Sequence, residues 1–352
     1  MDDVYEKLAK HLDNLPAGYP ATQSGVELRM LKRWFTPEEA EMAMGLSMMP
    51  ETSSAISKRL NMDESKGAKI LESMSKKGLI MRSTKGAQKL YSAAMFAIGI
   101  WDYQINKLDV ELVRDFHEYF PRFMEGTWKK QKTQQTRIIP VSKSISAGVN
   151  IMPYERARTI IEIQSKIVVA DCICRKNHKL LSEACEKPLE TCLSFGGGAF
   201  YYEENGLGRS ISQEEALEIL DMGIEEGLVL QPGNAQKPWV LCMCCGCCCM
   251  ILKNIKKWDK PAKYVNSSYY AAVNEEECTG CEICVDACQM DAISVSDIAR
   301  IDTDRCIGCG LCIAKCEDDA IRLEEKKEDE RWIPPTNIVE TYMRIAQERG
   351  KI

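Results

Sequence analysis

Histidine and long apolar runs are scarce in this sequence. Only three of its 352 residues are histidine, and His11 and His117 belong to no group of potential ligands. No apolar run approaches the ~20 residues that a membrane-spanning helix needs. The longest, Ala93–Trp101, predicts a buried helix. The first ten residues are charged and lack the apolar stretch of a signal peptide, so we expect a cytoplasmic protein.

Motifs for nucleotide binding and for metal-dependent proteolysis are absent as well. The sequence has no Walker A loop, no H-E-x-x-H and no strand-linked G-x-G-x-x-G. Gly206 and Gly208 are spaced like part of the last motif, but no predicted strand precedes them. No nucleophile stands beside a candidate base. We therefore predict no catalytic residue for substrate chemistry.

Cysteine, in contrast, is abundant, with 18 in the chain. Without an export signal, this number indicates metal ligation in a reducing compartment and not disulfides. Eight cysteines form two copies of C-x-x-C-x-x-C-x-x-x-C, offset by 28 residues and each followed by Asp-Ala-Ile. A cubane iron–sulfur cluster needs thiolates at tetrahedral corners. One loop can supply three of them, and the fourth cysteine ligates the other cluster.

The repeat resembles the bacterial two-cluster ferredoxin family over residues 271–323. The resemblance implies two 4Fe-4S clusters, bound by Cys278, Cys281, Cys284 and Cys316 (cluster 1) and by Cys306, Cys309, Cys312 and Cys288 (cluster 2). Gln289 and Glu317 stand where that family usually has proline, which bears on potential and solvent exposure more than on ligation. Zinc is the alternative, but zinc sites use two C-x-x-C pairs across a longer loop.

Ten further cysteines precede this repeat in two groups. They are Cys172, Cys174, Cys185 and Cys192, followed by Cys242, Cys244, Cys245, Cys247, Cys248 and Cys249. Thiols this dense oxidise unless a soft metal binds them, and thiolates favour iron–sulfur clusters, zinc or Cu(I). We predict at least one further cluster, using the first four cysteines with part of the later run; ten thiols suffice for two. Zinc, with His178 as an added ligand, and a thiol relay are the alternatives. His178 itself is expected at the surface.

The order of these motifs resembles a family of dicluster-ferredoxin proteins of anaerobic bacteria and archaea. The motifs are Cys172-Ile-Cys174, the glycines of 196–198, Pro232-Gly-Asn-Ala and the later cysteine run. The resemblance covers nearly the whole chain and implies a redox setting. The glycines are expected to let backbone N–H groups approach cluster sulfides. Cys244-Cys245-Gly246 more weakly resembles the Cys-Cys-Gly element of heterodisulfide-reductase subunits.

The N-terminal region is predicted to be winged-helix-like. Thr36-Pro37-Glu38-Glu39 is a capping box, helices are predicted at Glu51–Leu60 and Glu64–Lys77, and a two-stranded wing at Leu79–Tyr91. This order resembles the winged helix-turn-helix domains of MarR-like regulators. Helix 64–77 offers four lysines but no Arg, Asn or Gln to read bases. We therefore favour a solvated lysine face over DNA binding; helix-turn-helix folds also serve as docking modules or as homodimer contacts.

We predict an α+β multidomain fold with five segments. These are a winged-helix-like domain (1–91), a helical connector (92–137), an α/β cysteine-rich metal-binding domain (138–270), a two-cluster ferredoxin domain (271–323), and a charged linker with a C-terminal helix (324–352). Within the connector a helix is predicted to end at Pro121, and 128–137 is predicted to be a basic linker. The cysteine-rich domain should contain a buried strand at 166–170 and a helix that Ser212 caps.

The acidic charge is concentrated in the ferredoxin region. Residues 271–352 contain 10 Lys and Arg against 19 Asp and Glu, which suits a basic partner and equally suits plain solubility, so charge alone does not choose between the two. Our leading hypothesis is an iron–sulfur electron-transfer protein that passes single electrons through its clusters to or from a partner oxidoreductase. Two alternatives are a redox-sensing winged-helix transcription regulator and a reductase whose middle-domain cluster is catalytic.

Overall fold

The computed structural model describes residues 2–144 and 151–352, and its mixture of helices and small sheets is compatible with the predicted α+β class. The α-helices in these ranges are α1 (Asp2–Asn14), α2 (Val26–Trp34), α3 (Pro37–Met44), α4 (Ser53–Arg59), α5 (Glu64–Lys77), α6 (Val110–Gly126), α7 (Ala157–Glu162), α8 (Ile173–Leu180), α9 (Gly196–Glu204), α10 (Gln213–Glu225), α11 (Met250–Ile255), α12 (Ile283–Ala287), α13 (Leu311–Ala314) and α14 (Ile338–Glu348). The strands are β1 (Glu51–Thr52), β2 (Ile80–Lys85), β3 (Gln88–Ala93), β4 (Ile167–Asp171), β5 (Glu190–Phe195), β6 (Arg209–Ile211), β7 (Val229–Pro232), β8 (Val240–Cys244), β9 (Tyr269–Val273), β10 (Ile293–Val295), β11 (Ala299–Ile301) and β12 (Ile321–Glu325). Among these helices, none combines the length and the apolar character needed to cross a membrane.

The described chain separates into two compact units. The first contains the residues up to Gln131 together with Gly197–Arg209 and Tyr342–Ile352. The second contains Lys132–Gly196 and Ser210–Thr341, and therefore all 18 cysteines. The finer division into five segments stays a prediction.

The first unit contains the predicted N-terminal elements in their predicted order. At α3 the Thr36 hydroxyl accepts a hydrogen bond from the Glu39 N–H, and the Glu39 carboxylate accepts one from the Thr36 N–H. Helix α5 has the predicted bounds and stops at Gly78, whose φ of 78° suits glycine. Strands β2 and β3 form the predicted hairpin, and β1 joins it in the order β1-β3-β2. Helix α4 is shorter than predicted because its first two predicted residues form β1.

An aromatic core fills the first unit. Trp101 stacks on Phe116 with 3.6 Å between ring centroids and 4° between planes. Phe96 lies edge-on to Tyr119 at 5.1 Å and to Phe123 at 5.2 Å. All five side chains are at most 2% exposed. The aromatic side chains of the helical connector are therefore structural.

Two sequence predictions for this connector are wrong. The Ala93–Trp101 segment is not a regular helix, because Ala97 and Gly99 have non-helical backbone angles. Helix α6 does not end at Pro121 but continues to Gly126. An interior proline costs about 3 kcal/mol. The turn beyond it buries Phe123 and Met124, each worth about 1.5–3 kcal/mol, which is enough to continue the helix.

The second unit is built on a five-stranded sheet in the order β6-β4-β5-β8-β7. Strand β4 is the predicted buried strand, and it pairs antiparallel with β5, as β5 does with β8 and β8 with β7. Ser212 caps α10 as predicted, accepting a hydrogen bond from the Glu215 N–H. The ferredoxin region adds two antiparallel pairs, β9 with β12 and β10 with β11.

The predicted linker at 128–137 is not solvent-exposed where it enters the second unit. Gln134, Gln135, Thr136 and Arg137 are 2–4% exposed. Their backbone continues the sheet, because the Arg137 N–H donates to the Pro232 carbonyl at 3.0 Å. The composition of this segment is polar, but its hydrogen bonds are made inside the protein.

Asn234 holds this buried segment in place. Its Nδ2 donates to the Gln134 carbonyl at 2.7 Å and to Asn266 Oδ1 at 2.8 Å, while its Oδ1 accepts from Trp332 Nε1 at 2.7 Å. Its carbonyl accepts from the Thr341 hydroxyl at 2.6 Å. The Pro232-Gly-Asn-Ala motif therefore connects four distant parts of the second unit.

Replacing Phe116 tests the aromatic core. We expect Phe116→Ala to lower the free energy of unfolding of the first unit by about 3–5 kcal/mol, because a large cavity replaces the stacked ring. Met49→Ala, at a position 64% exposed, should change it by less than about 0.5 kcal/mol. Chemical denaturation followed by circular dichroism measures both. Equal stability of the two variants would contradict this account.

Candidate metal centres

Four cysteines line the first ferredoxin cavity. Cys278 and Cys281 lie in the loop before α12, Cys284 lies on α12, and Cys316 follows α13. The cavity has an empty volume of about 320 Å³, which includes space open to solvent. Cys281 is exposed and Cys284 is buried, so one side of this cavity faces solvent.

A second cavity of about 370 Å³ is lined by the other four cysteines of the repeat. Cys306, Cys309 and Cys312 come from the second copy, and Cys288 crosses over from the first. The structure therefore brings together the two sets of thiols that the sequence repeat assigned to clusters 1 and 2. Each set takes its fourth cysteine from the other copy.

One apolar core separates and supports the two cavities. Ala271, Ile293, Ala299 and Ile321 pack there with the thiols of Cys284 and Cys312. Residues 293 and 321 belong to the two Asp-Ala-Ile sequences. The matched isoleucines of the repeat therefore form the centre of the domain, between the two sets of ligands.

The repeat is visible in the backbone as well as in the cysteines. Gly280 and Gly308 both have φ of 70°. A Cβ at Gly280 would lie 2.4 Å from the Asp297 carbonyl oxygen, and one at Gly308 would lie 2.2 Å from that of Tyr269. Both the angle and the space require glycine. The cysteine loops can therefore wrap their cavities only with glycine at these positions.

Backbone N–H groups point at three of the sulfur atoms. Ala271 N–H donates to Cys306 Sγ at 3.4 Å, Ala292 to Cys288 Sγ at 3.3 Å, and Ala299 to Cys278 Sγ at 3.4 Å. Such bonds stabilise anionic sulfur and influence cluster potentials.

Burial opposes ionisation of these thiols unless a cation replaces the proton. It raises the pKa of Cys309 to about 12, and it also raises the pKa of Cys306, Cys312 and Cys284. Ligation by iron would supply the missing positive charge. The shape of each cavity, its four thiols and its N–H donors fit a 4Fe-4S cluster.

The ten remaining cysteines lie on and beside the five-stranded sheet. Cys172 follows β4, Cys192 lies on β5, and Cys242 and Cys244 lie on β8. Cys192 is directly opposite Cys242 in the antiparallel register. Because side chains alternate along a strand, Cys242 and Cys244 share one face of the sheet.

Six of these thiols form one connected group, which we call the sheet thiols. They are Cys172, Cys174, Cys192, Cys242, Cys244 and Cys249. The pKa of Cys172 is lowered to about 7, first by its hydrogen bond with Cys174. Hydrogen bonds from Cys174 and Cys244 hold the pKa of Cys249 well below its ordinary value.

The other four thiols form a second group, the four-thiol site. They are Cys185, Cys245, Cys247 and Cys248, and their sulfur atoms all lie within 4.8 Å of one another. Cys185 Sγ is 3.8 Å from Cys245 Sγ and 3.7 Å from Cys248 Sγ. Burial raises the pKa of Cys245 to about 12. Cys247 is exposed, so the site reaches the surface.

A buried arginine lies against the four-thiol site. Arg175, on α8, is fully buried. Its Nη1 donates to Cys245 Sγ at 3.7 Å, and its Nη2 donates to Met243 O at 3.3 Å and to the Thr191 hydroxyl. Its Nε has no hydrogen-bond partner. A buried guanidinium without a carboxylate needs a nearby anion, and metal-bound thiolates beside Arg175, at Cys245 and at Cys172 and Cys244 of the sheet thiols, would supply one.

The structure redistributes the cysteines that the sequence grouped together. Cys185 lies with the later cysteine run, whereas Cys172, Cys174 and Cys192 belong to the sheet thiols. His178 is not at the surface as expected but 1% exposed, with Nδ1 2.9 Å from the Cys174 carbonyl and Nε2 3.0 Å from Lys253 Nζ. It is not among the ligands of the four-thiol site.

Two glycines of the loop at 196–198 have open space beside them. A Cβ on Gly196 or Gly197 would meet no protein atom within 4 Å. The expected approach of the glycine N–H groups to cluster sulfides stays a prediction.

One contact between the cysteine-rich region and the ferredoxin region has no obvious signal in the sequence. The buried Gly246 N–H donates to Gln289 Oε1 at 2.7 Å, and a Cβ at Gly246 would lie 2.3 Å from the Gln289 carbonyl oxygen. Gln289 follows Cys288, which lines the second cavity. The residue that replaces the usual proline therefore joins the four-thiol site to the second ferredoxin cavity.

Comparison with known proteins agrees with this geometry for part of the chain. A family model described as 4Fe-4S dicluster domain matches residues 277–321. No curated protein and no solved structure matches the chain. Together with the clustered cysteines, this match supports an iron–sulfur protein with a ferredoxin-like domain at these residues.

Two glycine variants test whether close packing shapes the cavities. We expect Gly308→Ala to impair cluster assembly, because strain at positive φ and the clash with Tyr269 together cost about 2–5 kcal/mol. Gly86 has a similar φ of 61° but open space around it, so the Gly86→Ala variant should retain its iron. Iron content after anaerobic purification measures the difference. Full iron in the Gly308 variant would refute the packing argument.

Proposed function

We propose that the protein transfers single electrons through two 4Fe-4S clusters and at least one further cluster, to or from a partner oxidoreductase. The observation that carries the proposal is the pair of thiol-lined cavities on either side of one apolar core. When bound, such clusters supply one-electron chemistry. The chain holds them close together and keeps water from the core between them.

The two cavities differ in their access to solvent, which suggests a direction for the pathway. Cys281 at the first cavity is exposed. At the second cavity the Val141 N–H donates to the Cys309 carbonyl at 3.0 Å. Ser144 packs closely on Gly310, because a Cβ added to Gly310 would lie 2.2 Å from the Ser144 hydroxyl oxygen. The first cavity is the port for the partner, and the second is internal.

The surface of this port is acidic. Glu282 and Asp318 are exposed and line the first cavity. They belong to the region with the acidic excess seen in the sequence. A partner with a basic docking surface would be attracted to them over a distance comparable to the Debye length, about 8 Å at physiological ionic strength.

The sheet thiols are the place for the further cluster. Four of the six come from the strands β5 and β8 or from the loop after β4, so the sheet fixes their spacing. They also outnumber the four ligands that a cubane requires. Charge and backbone N–H groups around them are the means by which the chain would set the potential.

The alternative of a DNA-binding redox sensor has less support. Lysines of α5 are engaged by carboxylates: Lys66 with Glu38 at 2.6 Å and Lys77 with Glu39 at 2.7 Å. The groove between α5 and β3 is lined by Glu64 as well as Lys69. Carboxylates beside a would-be recognition helix repel the phosphate backbone.

Removing one port ligand tests the cluster assignment. We expect Cys281→Ala to lose about four irons per chain from a wild-type content of about twelve, since each cubane holds four. Iron and sulfide analysis with electron paramagnetic resonance of the reduced protein measures the loss. Val285→Ala, on the exposed side of α12, is the control and should retain all of its iron. Intact iron in the Cys281 variant would remove the first cluster from the proposal.

The acidic port predicts a charge-dependent rate. Reduction by a cationic one-electron donor, the methyl viologen radical, should slow as ionic strength rises, whereas reduction by an anionic sulfonated viologen should accelerate. Glu282→Gln with Asp318→Asn should slow the cationic donor by ~3-fold. Stopped-flow absorbance measures the rates, and cluster content is checked beforehand. Identical salt dependence for both donors would contradict an acidic port.

A further inference from the structure

The four-thiol site has the geometry of a single metal ion. We propose that Cys185, Cys245, Cys247 and Cys248 bind one zinc ion, separate from every iron–sulfur cluster. Cys185 comes from the loop between α8 and β5, and the other three come from the turn after β8. Binding would join these two segments covalently through the metal. The inference stands independently of electron transfer.

The sulfur spacing carries the argument. A tetrahedral zinc site has Zn–S bonds of about 2.3 Å, and this places its sulfur atoms about 3.8 Å apart. Cys185 Sγ lies 3.8 Å from Cys245 Sγ and 3.7 Å from Cys248 Sγ. The two measured separations match the edge of such a tetrahedron.

The ferredoxin cavities of the same chain provide the contrast. In a cubane each thiolate binds a different iron, so the sulfurs are separated by the cluster itself. The two ferredoxin sets line cavities of about 320 and 370 Å³, which include space open to solvent. Over residues 2–144 and 151–352, no three of their sulfurs lie within 4.8 Å of one another, whereas all four of the proposed zinc ligands do. The four-thiol site is too compact for a cubane.

Charge and hydrogen bonding support a bound anionic site. Zinc with four thiolates carries a net charge of −2, and the buried Arg175 lies 3.7 Å from Cys245 Sγ. Its Nε is a buried donor without a partner in the protein. Binding would release the four thiol protons, after which the guanidinium and the metal together balance the thiolates.

Four thiolates that close the coordination sphere are typical of structural zinc. The turn after β8 that zinc would hold in place includes Gly246, whose N–H donates to Gln289 Oε1 at 2.7 Å. Gln289 follows Cys288 of the second ferredoxin cavity. The zinc ion would therefore fix the position of the cysteine-rich region against the ferredoxin domain without itself exchanging electrons.

Paired cysteine variants of the full chain test this proposal. Wild-type protein, expressed with both metals present and purified anaerobically, should contain about one zinc per chain in addition to its iron. Cys247→Ser should reduce zinc at least fivefold and leave iron unchanged. Cys281→Ser, also at an exposed cysteine, should lose iron and keep zinc. Cys247→His should retain zinc, because three thiolates and one imidazole also form a tetrahedral site.

Elemental analysis by mass spectrometry reads these outcomes directly. A loss of about four irons in Cys247→Ser with no zinc in the wild type would overturn the proposal and assign these thiols to a cluster. A single iron at the site, with the spectrum of a mononuclear tetrathiolate, would overturn zinc as the ion. Loss of zinc in Cys247→Ser with normal reduction of the clusters would support it, even if the proposed electron-transfer partner were wrong.

Hydrogen exchange provides a second readout. In the Cys247→Ser variant the amide of Gly246 should exchange faster than in the wild type, since the turn is no longer pinned against Gln289. Amides of α5, in the first unit, should be unchanged. Equal protection of Gly246 in both proteins would refute the structural role of the metal.

Discussion

The second unit depends on one constraint: burial places several of its thiols where losing a proton is unfavourable unless a cation takes its place. Burial raises the pKa of Cys309 and Cys245 to about 12, far above the pH of a cell. A metal ion changes this balance because it binds the thiolate directly. Folding of this unit and metal loading are therefore linked. The apolar residues that pack between the cavities are few, and the bonds to metal supply much of what a larger core would provide.

The ferredoxin region shows how a repeated sequence becomes an interdependent structure. Each copy contributes three cysteines to its own cavity and one to the other, so neither copy can complete a cavity alone. The same interdependence appears in the strands, because β9 precedes the first copy and pairs with β12, which follows the second. Loss of one half would expose the sulfur atoms of the other. The domain is consequently a single cooperative element despite its internal repeat.

Local patterns in the sequence predicted local structure well. The capping box at Thr36, the N-cap at Ser212 and the bounds of α5 are all set by residues near one another in the chain. Contacts between distant residues were not predictable in this way. Nothing near Cys185 shows that it lies beside Cys245 and not beside Cys172, because a loop of unspecified path separates them. The burial of residues 134–137 was not predictable for a related reason: the backbone of Gln134 bonds to the side chains of Asn234 and Asn266, which are 100 and 132 residues away in the chain.

The Gly246–Gln289 hydrogen bond limits how freely this ferredoxin domain could be exchanged between proteins. A free-standing ferredoxin with proline after its fourth cysteine has no side-chain oxygen to offer at that position. In a chimera the buried Gly246 N–H would lose its acceptor, at a cost of about 1–3 kcal/mol. Any residue other than glycine at 246 would meet the Gln289 carbonyl. Glycine at 246 and a side-chain acceptor at 289 are therefore both needed to keep this junction, and together they are a signature for recognising proteins that share it.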